Sequence, residues 1–328
     1  MPIPDGRETR VSRPRRPGLL GNPRSGRFAR RPEALREAAA RFPGGLYREG
    51  RDPPEIGRAV RELVSAGADI IIVMGGDGTL QCVLDHLHGA LGSGLPPLAV
   101  VPCGTTNMTA LDLGHGQAPL RVLERLRRSL LADRDLPVVI RPVLRIRRPA
   151  VPPLYGMFFG TGIIAAGVRY FRDRVRGRAL IGEAASGIAI LRMLYRLLAG
   201  TESADLVPVR AGIAENGGRT ADGAFLLILA STLERLLLGM RPYWGRQHAP
   251  MHYTAIRERP KALWRSLPLI ASGRGHGLDD RYFHSRNLQT LELAFTGDFV
   301  LDGEIHAVAE GEAGLRIDTG GPIRFAVP

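Results

Sequence analysis

Three short stretches of the chain set glycines beside small polar or acidic residues: Asn22-Pro23-Arg24-Ser25-Gly26, Gly75-Gly76-Asp77-Gly78-Thr79 and Pro102-Cys103-Gly104-Thr105-Thr106-Asn107. The second has the clearest chemistry. Two glycines ahead of Asp77 and one behind it permit positive φ and close backbone approach. Amide N–H groups can then converge on phosphate oxygens at the N-terminus of a following helix. Asp77 is short and acidic, and a carboxylate fixed there can organise Mg²⁺ or accept a proton. A Gly-Asp-Gly triplet alone is an ordinary turn; its place between an apolar run and a helical stretch is what gives it meaning. The hydroxyls and amide of Thr105, Thr106 and Asn107 suit phosphate or ribose. The first stretch is weaker by itself, but it would bring Arg27 towards the same anion.

Composition narrows the chemistry further. The formal net charge is +13, and Lys261 is the only lysine. A P-loop needs a lysine after its glycines and a protein kinase needs one on a strand; Lys261, in Arg-Pro-Lys-Ala-Leu-Trp, fits neither. Phosphoryl transfer would therefore have to use arginine, backbone amides and metal. Arginine is clustered: residues 1–36 hold ten against three acidic residues, 121–148 nine against three, and 169–196 seven against two. Such clusters suit an anionic partner, a membrane surface or phosphate groups. Aromatic residues make up only 6% of the chain and do not interleave with the basic runs, so no nucleic-acid partner is expected. His248 and His252 have metal-ligand spacing on a helix, but Pro250 between them argues against one. Cys82 and Cys103 offer one bridge at most, and a reducing cytosol is expected. The first sixteen residues carry charge without an apolar core and do not read as a secretory signal.

Elements that could hold these loops are visible along the chain. Residues 1–17, rich in Pro and Arg, read as a flexible arm. Helices are expected over 32–41, 54–66 and 80–87. The continuous apolar runs Ala68–Met74 and Leu98–Pro102 read as strands buried on both faces of a parallel sheet. Strand, glycine-rich turn and helix, occurring twice in succession, make an α/β unit with ligand loops at the carboxyl ends of its strands. After about residue 136 the texture changes to short β-rich segments: 138–146, 155–159, 224–230, 288–295, 299–301, 314–317 and 323–327. These predict an antiparallel sandwich, interrupted by a helical segment at 179–198. The expected division is an α/β nucleotide domain over 18–136 and a β-sandwich substrate domain over 137–328, with the last strand a candidate to return to the first domain. Two segments are candidates for membrane or acyl-chain contact as well as for core: the apolar helical face at 179–198, and 257–269 with Trp264 and Lys261.

The three loops, in this order, resemble the diacylglycerol kinase catalytic-domain family, which includes bacterial soluble diacylglycerol kinases, sphingosine kinases and ceramide kinases. The family pattern Asn-Pro-x-Ser-Gly, Gly-Gly-Asp-Gly-Thr and Pro-x-Gly-Thr-x-Asn is met by Asn22–Gly26, Gly75–Thr79 and Pro102–Asn107, and its late Asp-Gly-Glu by Asp302-Gly303-Glu304. The resemblance implies an α/β domain like that of NAD kinases followed by a β-sandwich, with the active site in the cleft between them. It implies transfer of the γ-phosphate of ATP, with Mg²⁺, to a lipid hydroxyl at a membrane surface by a cytoplasmic, peripherally membrane-associated enzyme. Asn22, Ser25, Gly26, Arg27 and Gly75 would belong to the nucleotide site, with Gly76, Gly78 and Thr79 on phosphate. Gly104, Thr105, Thr106 and Asn107 would complete the pocket. Asp77 would organise the metal, and Asp302 and Glu304 would close the site. Either Asp77 or Asp302 could be the general base, with Asp302 slightly preferred. The chain departs from the family at Met108, where an acidic or small polar residue is common, and near Gly160, where many members have asparagine. An NAD kinase or a catalytically silent relative of the same fold are the alternatives, and a second copy of the chain is a candidate partner.

Overall fold

The computed structural model describes residues 9–11, 16–91, 95–132, 135–174, 208–218, 221–260, 263–312 and 314–327. The helix expected at 179–198, Lys261 and most of the arginine-rich arm lie outside the described residues. The chain divides into two compact units, Pro4–Val143 joined by Gly321–Pro328, and Leu144–Gly320.

In the first unit, strands β2 (Pro17–Gly21), β3 (Leu46–Glu49), β4 (Ile70–Gly75) and β5 (Leu98–Pro102) are parallel, in the order β3-β2-β4-β5. Residues 321–326 add to the free side of β5, Phe325 opposite Leu98. Strand β1 (Thr9–Val11) pairs antiparallel with the start of β6 (Leu136–Arg148). Strands β4 and β5 are buried at every position, as continuous apolar runs require when helices cover both faces of a sheet. On one face Leu19, Ile70, Ile72, Met74, Ala99 and Val101 pack with Phe28 of α1 (Gly26–Arg30), Leu35 and Ala39 of α2 (Pro32–Ala40) and Val122, Leu123, Leu126 and Leu130 of a later helix, Pro119–Leu131. On the other lies α3 (Pro53–Ser65), which buries Ile56, Ala59, Val60 and Leu63. It begins where Pro53 and Pro54 follow Asp52, whose carboxylate accepts from the Glu55 amide at 2.9 Å. A Cβ on Gly18 would lie 2.9 Å from that of Ala68, so β2 approaches this layer too closely for a side chain.

Helix α4 (Asp77–Leu91) begins three residues earlier than the apolar pattern suggests. Asp77, Gly78 and Thr79 are thus the first helical turn rather than the end of a loop. An acidic residue there complements the positive end of the helix dipole. Helices α5 (Met108–Asp112) and α6 (Pro119–Leu131) follow β5.

The second unit is antiparallel and strand-rich. Its strands are β7 (Val151–Gly156), β8 (Phe158–Gly162), β9 (Val209–Glu215), β10 (Ala221–Ser231), β11 (Met251–Arg257), β12 (Phe283–Leu288), β13 (Leu291–Phe295), β14 (Gly297–Leu301), β15 (Glu304–Val308) and β16 (Leu315–Ala326). The main order is β15-β14-β8-β10-β9-β13-β16. One half of β10, 221–225, pairs with β9 and the other, 227–231, with β8, while β11 pairs with Phe225 and, past a register shift between Phe225 and Leu227, with 227–231, and β12 follows. Alternation along β11 sends Met251, Tyr253 and Ala255 into the main core with Phe159, Ile228, Leu291 and Phe299. Ile256 instead joins Trp244, Ile270 and Phe283 in a second cluster. Helices α7 (Ile163–Arg174) and α8 (Leu263–Ala271) belong to this unit. The chain passes from the first unit to the second within β6 and returns within β16.

Candidate functional site

Three parallel strands of the first unit end side by side, and each releases one of the glycine-containing loops. Two of these loops meet at Asp77, a residue 6% exposed. Its carboxylate accepts from the Thr106 hydroxyl at 2.8 Å and from the backbone amides of Met108 at 3.0 Å and Thr109 at 3.1 Å. These two amides open α5, so Asp77 on one helix satisfies the exposed donors of the next. Methionine at position 108 leaves this contact intact, because the donor is its main chain.

The other loops are fixed with equal economy. Asn22 donates through Nδ2 to the Thr79 hydroxyl at 2.8 Å, accepts from the Arg24 amide at 2.9 Å, and its own amide donates to Met74 O at 3.1 Å. It therefore ties the loop after β2 to the first turn of α4. Ser25 is buried and caps the geometry of that loop through its amide, which donates to Asn22 O at 3.0 Å. Asn107 sits at φ +50°, 4% exposed. Its Oδ1 accepts from the Gly104 amide at 2.7 Å and its Nδ2 donates to the Gly104 carbonyl at 2.8 Å, locking both polar groups of that glycine. Asparagine tolerates this left-handed conformation better than other non-glycine residues.

Gly76 and Gly104 touch backbone to backbone. A Cβ on Gly104 would fall 2.4 Å from the Gly76 Cα, and one on Gly76 would fall 2.9 Å from the Gly104 Cα. Gly76 and Gly78 are half-buried and Thr105 is exposed, so bare peptide and a hydroxyl face outward beside the first turn of α4. The N–H groups of such a turn have no carbonyl partner inside the helix and are suited to anions. Gly75 is needed for another reason: a Cβ there would meet that of Thr79 at 2.5 Å. Arg27 turns towards the protein. Its Nη1 donates to Pro102 O at 3.1 Å and its amide to Cys103 O at 2.8 Å, and burial lowers its pKa from the ordinary guanidinium value. Gly26 is exposed, with room at its Cβ position next to Thr105.

In the second unit Asp302 and Gly303, with φ of +49° and +92°, make the two-residue turn between β14 and β15. Asp302 is 4% exposed. Its two oxygens accept from the amides of Met157 and Phe158, each at 2.9 Å, and its own amide donates to Phe158 O at 2.9 Å. Glu304, at the start of β15, is exposed. The residue that reading the motifs missed is Gly156. A Cβ there would lie 2.6 Å from Asp302 Oδ2, so only glycine lets the carboxylate reach its donors. The signal was a lone glycine breaking the run Tyr155-Gly156-Met157-Phe158, which marks close backbone approach. Gly160 is equally confined: its Cβ would meet Ile164 Cγ2 at 2.7 Å, so isoleucine fills the space an asparagine there would need. His252 has its Nδ1 2.8 Å from Asn287 Oδ1 and stacks on Tyr243.

The first unit's loops and strands correspond to a known family. Residues 18–137 match the diacylglycerol kinase catalytic domain. Within the curated proteins, one from Stenotrophomonas maltophilia bearing the name YegS-like lipid kinase is 38% identical over 93 residues, which is 26% of this chain and 30% of that protein. The aligned part thus spans less than a third of that relative. Among solved structures, proteins assigned as diacylglycerol kinases of Bacillus anthracis str. Sterne superpose with TM-scores of 0.66 and 0.62, each at 16% identity. The first covers 96% of this chain and 98% of its own, the second 97% and 99%. A yeast NADH kinase gives 0.50 at 10% identity, covering 98% of this chain and 89% of its own. These likenesses establish the fold, an α/β unit with parallel strands and a strand-rich unit, as the diacylglycerol-kinase-like motifs imply. Among the described residues no helix is long and apolar enough to cross a membrane.

Proposed function

We propose that this protein transfers the γ-phosphate of ATP, with Mg²⁺, to a hydroxyl of a diacylglycerol-like or other amphiphilic lipid. The observation that carries the reading is that Asp77 ties the loop after β4 to the loop after β5, with Asn22 of the loop after β2 bonded to Thr79 one turn along, inside a segment that matches the kinase family. The bare backbone of Gly76 and Gly78 and the first-turn amides of α4 take phosphate oxygens, and the exposed Thr105 hydroxyl lies beside them. Gly76 and Gly104 leave no room for a Cβ between them, which keeps the two loops side by side.

Asp77 would hold the metal. Three donors occupy it, out of roughly four acceptor positions on a carboxylate. Mg²⁺ in such sites usually takes one or two carboxylates and completes its shell with phosphate oxygens and water. One acceptor position on Asp77 is left for a metal, whose other ligands would be phosphate oxygens and water, and a bound ion would neutralise charge on the transferring phosphate. Asp302 is the candidate base from the second unit. Two amide donors fix the direction of its carboxylate. Phosphoryl transfer depends mainly on positioning and charge stabilisation, which such a fixed group can serve.

The test is transfer of labelled γ-phosphate from ATP, with Mg²⁺, to a mixed-micelle panel of hydroxyl lipids, alongside Asp77→Ala, Asp302→Ala and an NAD⁺ acceptor. A labelled lipid made by the wild type and lost in the variants is expected. Labelled NAD⁺, or no product with any acceptor, would overturn the proposal.

A further inference from the structure

Helix α8 is apolar on the side it buries and on the side it shows. Leu263 and Ile270 pack towards Trp244, Ile256 and Phe283, and Ser266 is buried with them. The outward positions are Trp264, Arg265, Pro268 and Leu269, with Trp264 42% and Leu269 41% exposed. A helix at the surface of a water-facing protein carries mainly polar residues outside, and here Arg265 is the one charged residue among three apolar ones. A neighbouring turn repeats the feature. The Arg241 amide donates to Ala271 O at 2.8 Å, which sets the turn Leu237–Gly239 close to the end of α8. Leu238 in that turn is 50% exposed and held at φ +56°, a conformation that costs a branched residue energy.

Charge identifies the cover. Arg235, Arg241, Arg246, Arg259, Arg265 and Arg274 are all exposed, and Glu258 is the only acidic residue between positions 235 and 274. Exposed Trp and Leu among arginines match the boundary between lipid headgroups and acyl chains, where indole rings concentrate and arginines meet lipid phosphates. We propose that α8 and the Leu237–Gly239 turn are the surface by which the second unit docks on an anionic bilayer, with Trp264, Leu269 and Leu238 entering the headgroup layer. This deepens the lipid-kinase reading and rests on it for its purpose, while the docking itself requires neither nucleotide nor turnover.

The experiment is co-sedimentation of the full chain, without nucleotide, with phosphatidylglycerol-rich vesicles and with vesicles of phosphatidylcholine alone. Binding to the anionic vesicles that weakens with salt is expected, with Trp264 emission quenched by brominated acyl chains. Leu269→Glu and Arg265→Glu should each lower the partition coefficient about tenfold, whereas Arg61→Glu, the same charge change on exposed α3, should leave it near wild type. No binding, equal binding to both vesicle types, or unchanged binding by both α8 variants would overturn the docking surface. So would a dimer in sedimentation velocity that Leu269→Glu dissolves, since a second copy would then be the cover. Phosphorylation of a soluble short-chain diacylglycerol separates the two proposals. Turnover without vesicle binding removes only the docking surface, and vesicle binding without turnover on any lipid removes only the kinase reading.

Discussion

Replacing Asp302 by alanine should damage the fold of the second unit before it says anything about catalysis. The wild-type carboxylate satisfies two buried amides, those of Met157 and Phe158, at 2.9 Å each. Leaving a buried donor unsatisfied costs about 1–3 kcal/mol, so two cost about 2–6 kcal/mol. Alanine at φ +49° adds about 1 kcal/mol, because it lacks the short polar side chain that lets aspartate tolerate the left-handed region. The sum is about 3–7 kcal/mol, a large part of the roughly 5–15 kcal/mol that holds a domain together. Asn at this position keeps one acceptor and tolerates the left-handed backbone, so Asp302→Asn should fall about midway. The chain's two tryptophans, Trp244 and Trp264, both lie in the second unit, so urea unfolding followed by indole fluorescence reports on the affected part. The expected order of midpoints is wild type, then Asn, then Ala. If Asp302→Ala unfolds at the wild-type urea concentration, the brace reasoning is wrong, and loss of phosphoryl transfer in that variant is then left to the role of base alone.

Gly104→Ala should lower ATP affinity at least about tenfold in titration calorimetry, since its methyl group would sit 2.4 Å from the Gly76 Cα and force apart the two loops that face the phosphates. Asn107→Ala loses both hydrogen bonds to Gly104 and keeps a left-handed φ, so it should cost about 2–4 kcal/mol in thermal or urea unfolding; a variant as stable as wild type would contradict the role given to that ring. Burial pushes the Cys103 thiol up to about 12. An unfolded chain binds fewer protons at this site between its ordinary thiol pKa, about 8.5, and about 12, so stability falls as pH rises through that window. Cys103→Ala should flatten that alkaline decline, and Cys103 should resist a thiol reagent at pH about 8 until the protein unfolds.

Much of the first unit was readable because its physics is local. Ile70–Met74 and Leu98–Val101 are buried on both faces, and an uninterrupted β-branched run has few other fates. The chemistry of Asp77 was legible as a position, the end of a strand before a helix, but its partners were not. Thr106, Met108 and Thr109 lie 29 to 32 residues away and two of them act through their main chain, which side-chain motifs do not display. Asp302 is the extreme case, joined to Phe158 across 144 residues. Strands β9, β11 and β12 were missed because Arg210, His252, Arg257 and Arg286 interrupt their apolar alternation from the outward side. The stretch 257–269 read from sequence as core before membrane contact; helix α8 buries one face and exposes Trp264 and Leu269 on the other.

The return of residues 321–326 to the sheet that carries the phosphate loops has a consequence for how the protein is made. Phe325 and Ala326 are buried, Arg324 Nη2 donates to Leu95 O at 2.7 Å, and the Val327 amide donates to Pro137 O at 3.0 Å. During synthesis the loops after β2, β4 and β5 are translated early, but the strand that covers the free edge of β5 emerges more than two hundred residues later. Until then Leu98-Ala-Val-Val-Pro102 presents unpaired backbone along an apolar strand, the kind of edge that recruits other chains. Newly made chains are therefore exposed to mispairing for the whole time the ribosome spends on the second unit, and the first sheet closes only after the second unit's strands have been translated.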